Sequence, residues 1–130
     1  MRIFLDANIL FSAARPDSRM RAFLEVLSQE ADLLTNAYAV EETRRNLELK
    51  YPNDLKSLDK MVRQCEMVSQ LAADLGIELP LKDRPILSGA IAGHATHLLT
   101  GDERDFGRFW GKVVRGVKIV SPKMLAEEVL

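Results

Sequence analysis

"HLLTGDERDF", residues 97–106, joins two kinds of sequence. Leu98-Leu99 is a short apolar run that stops at Thr100-Gly101. Asp102, Glu103 and Asp105 then place three acids within four positions. A brief apolar run closed by turn residues reads as a buried strand. Its acids have three physical readings: a helix cap, a solvated turn, or part of a metal site. "MRIFLDANIL" at the start of the chain repeats the order, with Ile3-Phe4-Leu5 as a strand and Asp6 directly after it. Strands that end in acids set the frame for the rest of the chain.

Working outward, helical spacing appears at Ile9, Leu10 and Ala13, and again at Phe23, Leu24 and Leu27. Pro16-Asp17-Ser18 separates the two pieces, with Ser18 as an N-cap. Leu33-Leu34 reads as a second strand. A helix is predicted from about Asn36 to Lys50, stopped by Pro52. Apolar residues recur in steps of three and four from Leu55 through Cys65 to Leu75, which predicts one long amphipathic helix over 54–74 capped by Gly76. Ile77 and Leu79 read as a third strand, 85–93 as a small-residue helix, 97–99 as a fourth strand and 117–120 as a fifth. Ser121-Pro122 opens a final helix, serine as N-cap and proline at the first helical position. Strands alternating with helices imply an α/β fold with a mainly parallel sheet covered on both faces.

The totals bound what such a fold can do. A chain of 130 residues suits one domain, residues 1–130, with a real core. A net charge of −1 supplies no field to grip phosphates or an anionic membrane by charge alone. Cys65 is the only cysteine, which rules out an intrachain disulfide, disfavours a cysteine metal cluster and fits a reducing, cytoplasmic setting. No apolar run approaches the roughly 20 residues that span a bilayer.

Four acids share one address. Asp6 follows strand one, Glu42 lies on the helix after strand two, Asp83 follows strand three, and Asp102 follows strand four. Ligands bind beyond the carboxyl ends of strands in open parallel sheets, so these residues can converge. Each also has a plain local reading: Asp6, Asp83 and Asp102 as helix caps, Asp105 completing a capping-box-like pattern, and Glu42 as a solvated residue paired with Arg45 or Asn46. Taken together, a cluster is the better reading, and clustered carboxylates that repel one another call for divalent cations. All-oxygen ligation suits Mg²⁺ or Mn²⁺ rather than zinc.

The order and wording of these segments resemble the PIN-domain nucleases. "IFLDANIL" (3–10) looks like their opening strand, "NAYAVEETRRNL" (36–47) like their second acidic motif, and "KDRPILSGAIAGHATHLLTGDERDF" (82–106) like their third and fourth. The resemblance is nearest to the branch found as the toxin of toxin–antitoxin pairs. It implies a PIN-like three-layer sandwich around a mostly parallel sheet of about five strands. Carried over by position, Asp6, Glu42, Asp83 and Asp102 match the four-acid site, Asp105 a fifth acid, and Asn8 and Thr100 the polar residues that support it. Asp6 and Asp102 are the candidates for direct metal ligands. Spacing to Arg44, Arg45 and Leu47 favours Glu42 over Glu41. The helix face defined by Val40, Leu47 and Tyr51 instead puts Glu42 opposite and Glu41 at its flank.

The resemblance further implies a Mg²⁺- or Mn²⁺-dependent endoribonuclease acting on single-stranded RNA, held by an antitoxin and forming a homodimer. Met20, Leu24, Met61 and Met67 are candidates for the partner surface. Arg15, Arg19, Arg21, Arg104 and Arg108 are candidates for phosphate contacts. His94 and His97 read as a polar cap and a strand-edge side chain, Cys65 as core, and Phe109 and Trp110 as loop packing. Two competing readings stand beside this one: a non-catalytic binding protein whose acids are structural, and a phosphohydrolase with Asp6 as nucleophile.

Overall fold

Residues 1–130 are described by a computed structural model. Along the chain the elements run β1 (Arg2–Leu5), α1 (Ala7–Ala14), α2 (Arg19–Leu27), β2 (Asp32–Thr35), α3 (Ala37–Lys50), α4 (Leu55–Val62) and β3 (Glu66–Met67). Then follow α5 (Arg84–Ala92), β4 (His97–Leu99), α6 (Glu103–Phe106), β5 (Val113–Val114), β6 (Val117–Val120) and α7 (Pro122–Val129). The sheet order is β3-β2-β1-β4-β6-β5. All neighbours are parallel except the β5–β6 pair, which is antiparallel.

The apolar runs read as strands lie in the middle of this sheet. Ile3, Phe4, Leu5, Leu34, Leu98, Leu99 and Ile119 are essentially without solvent contact. Strands covered on both faces need apolar side chains at successive positions, which is why these runs do not alternate. The chain leaves β1 towards β2 and β3, then returns to the other side of β1 for β4 and β6. The connections therefore reverse direction between β1 and β4, and the crevice beyond the carboxyl ends of those strands is where such sheets bind ligands. Asp6 directly follows β1 and Thr100 directly follows β4, with the Asp6 amide donating to the Leu99 carbonyl at 3.1 Å.

Capping chemistry placed the helix starts well. Ser18 accepts from the Arg21 amide, Asn36 from that of Ala39 and Ser121 from that of Met124, at 3.0, 3.0 and 3.2 Å. Each bond satisfies an amide that the first helical turn leaves without a partner.

Several expectations are corrected. The long helix over 54–74 stops at Val62, because the chain turns out to pair β3 with β2, and Val68 donates from its amide to the Thr35 carbonyl at 2.9 Å. Residues 68–83 have no helix; Leu75 and Leu79 still reach the core, so their spacing reports burial rather than helical phase. Ile77 and Leu79 form no strand, and Glu66–Met67 is the third strand instead. Gly76 does take a positive φ of 77°, but in a turn where its amide donates to Asp74 Oδ1. His97 is no edge residue: β4 lies between β1 and β6, and the imidazole is buried with Glu128 and Thr96. The expected PIN-like three-layer sandwich around about five strands gives way to an α/β fold of seven α-helices and a six-stranded mixed sheet. No helix is long and apolar enough to cross a membrane.

Candidate metal centre

Asp6 is the most constrained acid at the crevice. It ends β1 and caps α1, with Oδ1 accepting from the Ala7 amide at 2.6 Å. Its Oδ2 accepts from the Thr100 hydroxyl at 2.7 Å and from the Asn8 amide group at 3.1 Å. Asn8 also ties down the β4 turn, its Oδ1 accepting from the Gly101 amide at 2.7 Å. Thr100 in turn accepts from the Asp102 amide at 3.1 Å, so one hydroxyl links Asp6 to the backbone that presents Asp102. Asn8 and Thr100 are thus both hydrogen-bonded to Asp6. Burial pushes the Asp6 carboxyl up to about 6, the hydrogen bonds from Thr100 and Ala7 oppose this, and the charge of Glu42 adds to the rise.

A second group lies beside it. Asp83, Asp102 and Asp105 each offer one carboxylate oxygen, and these oxygens all lie within 4.8 Å of one another. Asp102 caps α6 by accepting from the Asp105 amide at 3.0 Å, so the cap reading and the cluster reading both hold for it. Asp83 precedes α5 but makes no side-chain cap bond. Its Oδ2 and the Oδ2 of Asp105 are buried acceptors without a hydrogen-bond partner. Lys82 lies 3.3 Å from Asp105 Oδ2, a charge contact whose angle is too poor for a hydrogen bond.

Burial pushes the Asp83 carboxyl well above the ordinary carboxylate range, helped by the Asp105 carboxyl that faces it. Asp105 is held below that range, first by its interaction with Asp83 and then by Lys82. Two facing carboxyls disfavour each other's charge, so the pair as a whole holds a proton more tightly than a lone carboxyl does. A buried acceptor oxygen with no donor costs free energy. A proton or a cation can meet that need, and an all-carboxylate donor set suits Mg²⁺ or Mn²⁺. These residues therefore fit a divalent ion, with Asp83, Asp102 and Asp105 as the residues that would hold it.

The arrangement differs from the predicted four corners. Asp105 belongs to the tight group, whereas Asp6 does not and forms a neighbouring acidic wall with Glu42. Glu42 rather than Glu41 faces the site: it is half-buried and its charge reaches Asp6, while Glu41 is exposed. The buried stripe of α3 is Ala39, Thr43 and Leu47, not the expected face of Val40, Leu47 and Tyr51. Val40 is only partly buried and Tyr51 is exposed. Thr43 sits in that stripe because its hydroxyl finds the carbonyls of Ala39 and Ala7 at 2.8 and 3.1 Å.

Other expectations sort out by contact. Arg15 pairs with Asp54 at 2.9 Å, Arg21 donates to Ala13 and Ser57, and Arg108 donates to the Glu78 carbonyl, so these three are committed elsewhere. Arg19 and Arg104 are exposed and make no ion pair. Leu24 and Met61 are core, Met20 is half-buried, and only Met67 of the proposed partner surface is exposed. Phe109 and Trp110 pack against the core as expected. Cys65 is half-buried beyond the end of α4, and burial pushes its thiol up to about 11, which favours the protonated form. Lys82 beside Asp105 and the open groove lined by Phe11, Asn46 and Lys50 have no motif in the sequence; the 42/46/50 spacing on α3 is the one local signal for the groove.

No protein-family model and no curated protein matches the chain. Solved structures do, and two of them align over 93% of this chain and 98% of theirs. One is VapBC2 from Rickettsia felis bound to a DNA fragment from its promoter, at 21% identity and a TM-score of 0.69. The other is FitAcB from Neisseria gonorrhoeae, at 19% identity and a TM-score of 0.58. Likeness at this identity shows the fold. These findings correct the family reading: membership of the PIN-domain nucleases is not what the chain matches, and the architecture is described by its likeness to chains of these two assemblies.

Proposed function

We propose that the chain is a divalent-metal-dependent hydrolase of phosphodiester bonds in single-stranded RNA, working with a partner protein in a toxin–antitoxin system. The observation that carries the chemistry is the convergence of Asp83, Asp102 and Asp105, with two buried carboxylate oxygens lacking donors, at the sheet's ligand-binding end. The partner protein is supported by the fold's likeness to chains from VapBC2 and FitAcB. Mg²⁺ or Mn²⁺, when bound, would offset phosphate charge and make water a better nucleophile. Asp6, held in one orientation by Thr100 and Asn8, would fix the turn after β4 that presents Asp102 to the cation. An aspartyl nucleophile at Asp6 fits less well, since both of its oxygens are engaged and only 4% of the residue is exposed.

The test is cleavage of a labelled single-stranded oligoribonucleotide with Mn²⁺ and with chelator. Cleavage should need the metal and fall at least 100-fold in Asp83→Asn plus Asp105→Asn. Activity that survives that double variant sinks the proposal. A chain that binds promoter DNA and cleaves nothing would instead be a regulatory component, the reading that the DNA in the VapBC2 structure favours.

A further inference from the structure

The groove beside Asp6 carries a graded set of groups that the metal centre does not use. It is an open cavity of about 240 Å³ between α1 and α3, lined by Ala7, Asn8, Phe11, Glu42, Asn46 and Lys50. Glu42, Asn46 and Lys50 recur at every fourth residue of α3, so they form one row about 12 Å long. Along that row the charge passes from carboxylate, through neutral amide, to ammonium. Asn8 at the acidic end is bonded to Asp6, so the groove opens from the candidate centre itself.

Each group in the row is available. Asn46 and Lys50 are exposed on α3, and the Asn46 side chain is open to solvent. Lys50 has no carboxylate partner, unlike Arg15 nearby, which is paired with Asp54 and lies 3.6 Å over the Tyr51 ring. The Lys50 ammonium instead lies 5.7 Å from the centre of the Phe11 ring, and Phe11 is tilted against Tyr51 at 5.9 Å. The far end of the groove is therefore a free cation set beside an aromatic wall, in a chain with a net charge of −1.

We infer that this groove is a nucleotide subsite for single-stranded nucleic acid next to the acidic centre. Phe11 supplies an apolar surface for a base, the Asn46 amide can bond a base edge with its donor and acceptor, and Lys50 holds a phosphate. Glu42 at the inner end repels a phosphate, which keeps the strand's charge at Lys50 on the outer end. The inference rests on the nucleic-acid reading above and deepens it by naming where a neighbouring nucleotide lies.

Binding is measured by fluorescence anisotropy with a labelled single-stranded oligoribonucleotide in chelator, so that nothing is cleaved; the same oligodeoxyribonucleotide forms a second arm. Asn46→Ala and Phe11→Leu should each weaken binding on the order of 10-fold. Lys50→Gln should weaken it and reduce the slope of log affinity against log salt by about 0.7, the value for one phosphate on a single strand. Lys118→Gln, at the opposite end of β6 from Val120, should change nothing. Asn46 and Lys50 are exposed, so these variants fold. Affinities unchanged in all three groove variants, or a parent chain that binds neither oligonucleotide, overturn the subsite, as do variants that weaken only a protein partner. Groove-dependent binding without metal-dependent cleavage would leave the subsite standing and remove the hydrolase; cleavage by a chain whose groove variants bind normally would do the reverse.

Discussion

Asp6 shows how a single side chain can be costly to the fold and useful to the site. Its folded carboxyl titrates near 6 against an ordinary 3.8, mainly through burial. A raised carboxyl means that the folded state holds its proton more tightly than the unfolded one. Its contribution to stability is therefore fully present below the unfolded value and is lost as pH rises through about 6. The gap corresponds to about 3 kcal/mol at neutral pH. Asp6→Asn removes this penalty but gives back about 1 kcal/mol, since an amide has one acceptor oxygen where the carboxylate has two, and either the Ala7 amide or the Thr100 and Asn8 donors lose their acceptor. Urea denaturation at pH 7.5 should find Asp6→Asn more stable than the parent by about 1–2 kcal/mol, with a flatter profile between pH 4 and 6.5. A variant less stable than the parent at pH 7.5 would show that the charged form carries no such cost. Asp83 and Asp105 make a second case at this scale. Their shared proton competes with any cation, so Mn²⁺ affinity by calorimetry should be at least 10-fold weaker at pH 5 than at pH 7.5. Equal affinities at the two values would separate the cation from these carboxyls.

At the scale of elements, α5 shows a packing constraint that helix propensity would misjudge. Gly89 lies inside this helix, where alanine is ordinarily favoured by about 1 kcal/mol. A Cβ at Gly89 would meet Asn36 Nδ2 at 2.5 Å and the Phe4 ring at 3.1 Å. Asn36 caps α3 and donates to the Pro85 carbonyl, so it joins two helices and cannot yield without loss. Gly89→Ala should therefore destabilise the protein by about 1–3 kcal/mol in thermal denaturation; a gain in stability would mean that Asn36 moves freely. The same elements show what the sequence made legible. Runs buried on both sides, such as Ile3-Phe4-Leu5, carried the strands, and Ser18, Asn36 and Ser121 carried the helix starts, because both signals are local. Residues 63–79 misled because their order comes from long-range pairing: β3 joins β2, and Ser88 holds Ala72 from across the chain at 2.8 Å. Asp6, Asp83 and Asp102 were legible as acids at element ends. Asp105 entered the site only as a fifth acid that the resemblance implied, because its place beside Asp83 depends on how α6 turns after Asp102.

For the whole molecule, the decisive fact is that acidic charge gathers at one end of a nearly neutral chain. Asp6, Asp83, Asp102 and Asp105 all lie at the loops beyond the carboxyl ends of parallel strands or at helix starts beside them. Such a gathering works against the folded state until something positive enters, so a bound cation should stabilise the fold as well as serve chemistry. A ligand that binds only the folded state at about 100 times its dissociation constant adds about 2.7 kcal/mol. With an unfolding entropy of roughly 2.1 cal/mol/K per residue, this amounts to a rise of about 10 °C in Tm for a domain of this length. Mn²⁺ titrated into the parent should therefore raise Tm by that order, saturably and reversibly with chelator. Asp83→Asn plus Asp105→Asn should start at a higher Tm without metal, because two facing carboxyls no longer compete for one proton, and should then gain nothing from Mn²⁺. The two effects have opposite signs in one protein, which separates a cation site from general damage to the fold. A double variant that starts lower and still gains the full 10 °C would place the cation at some other part of the molecule.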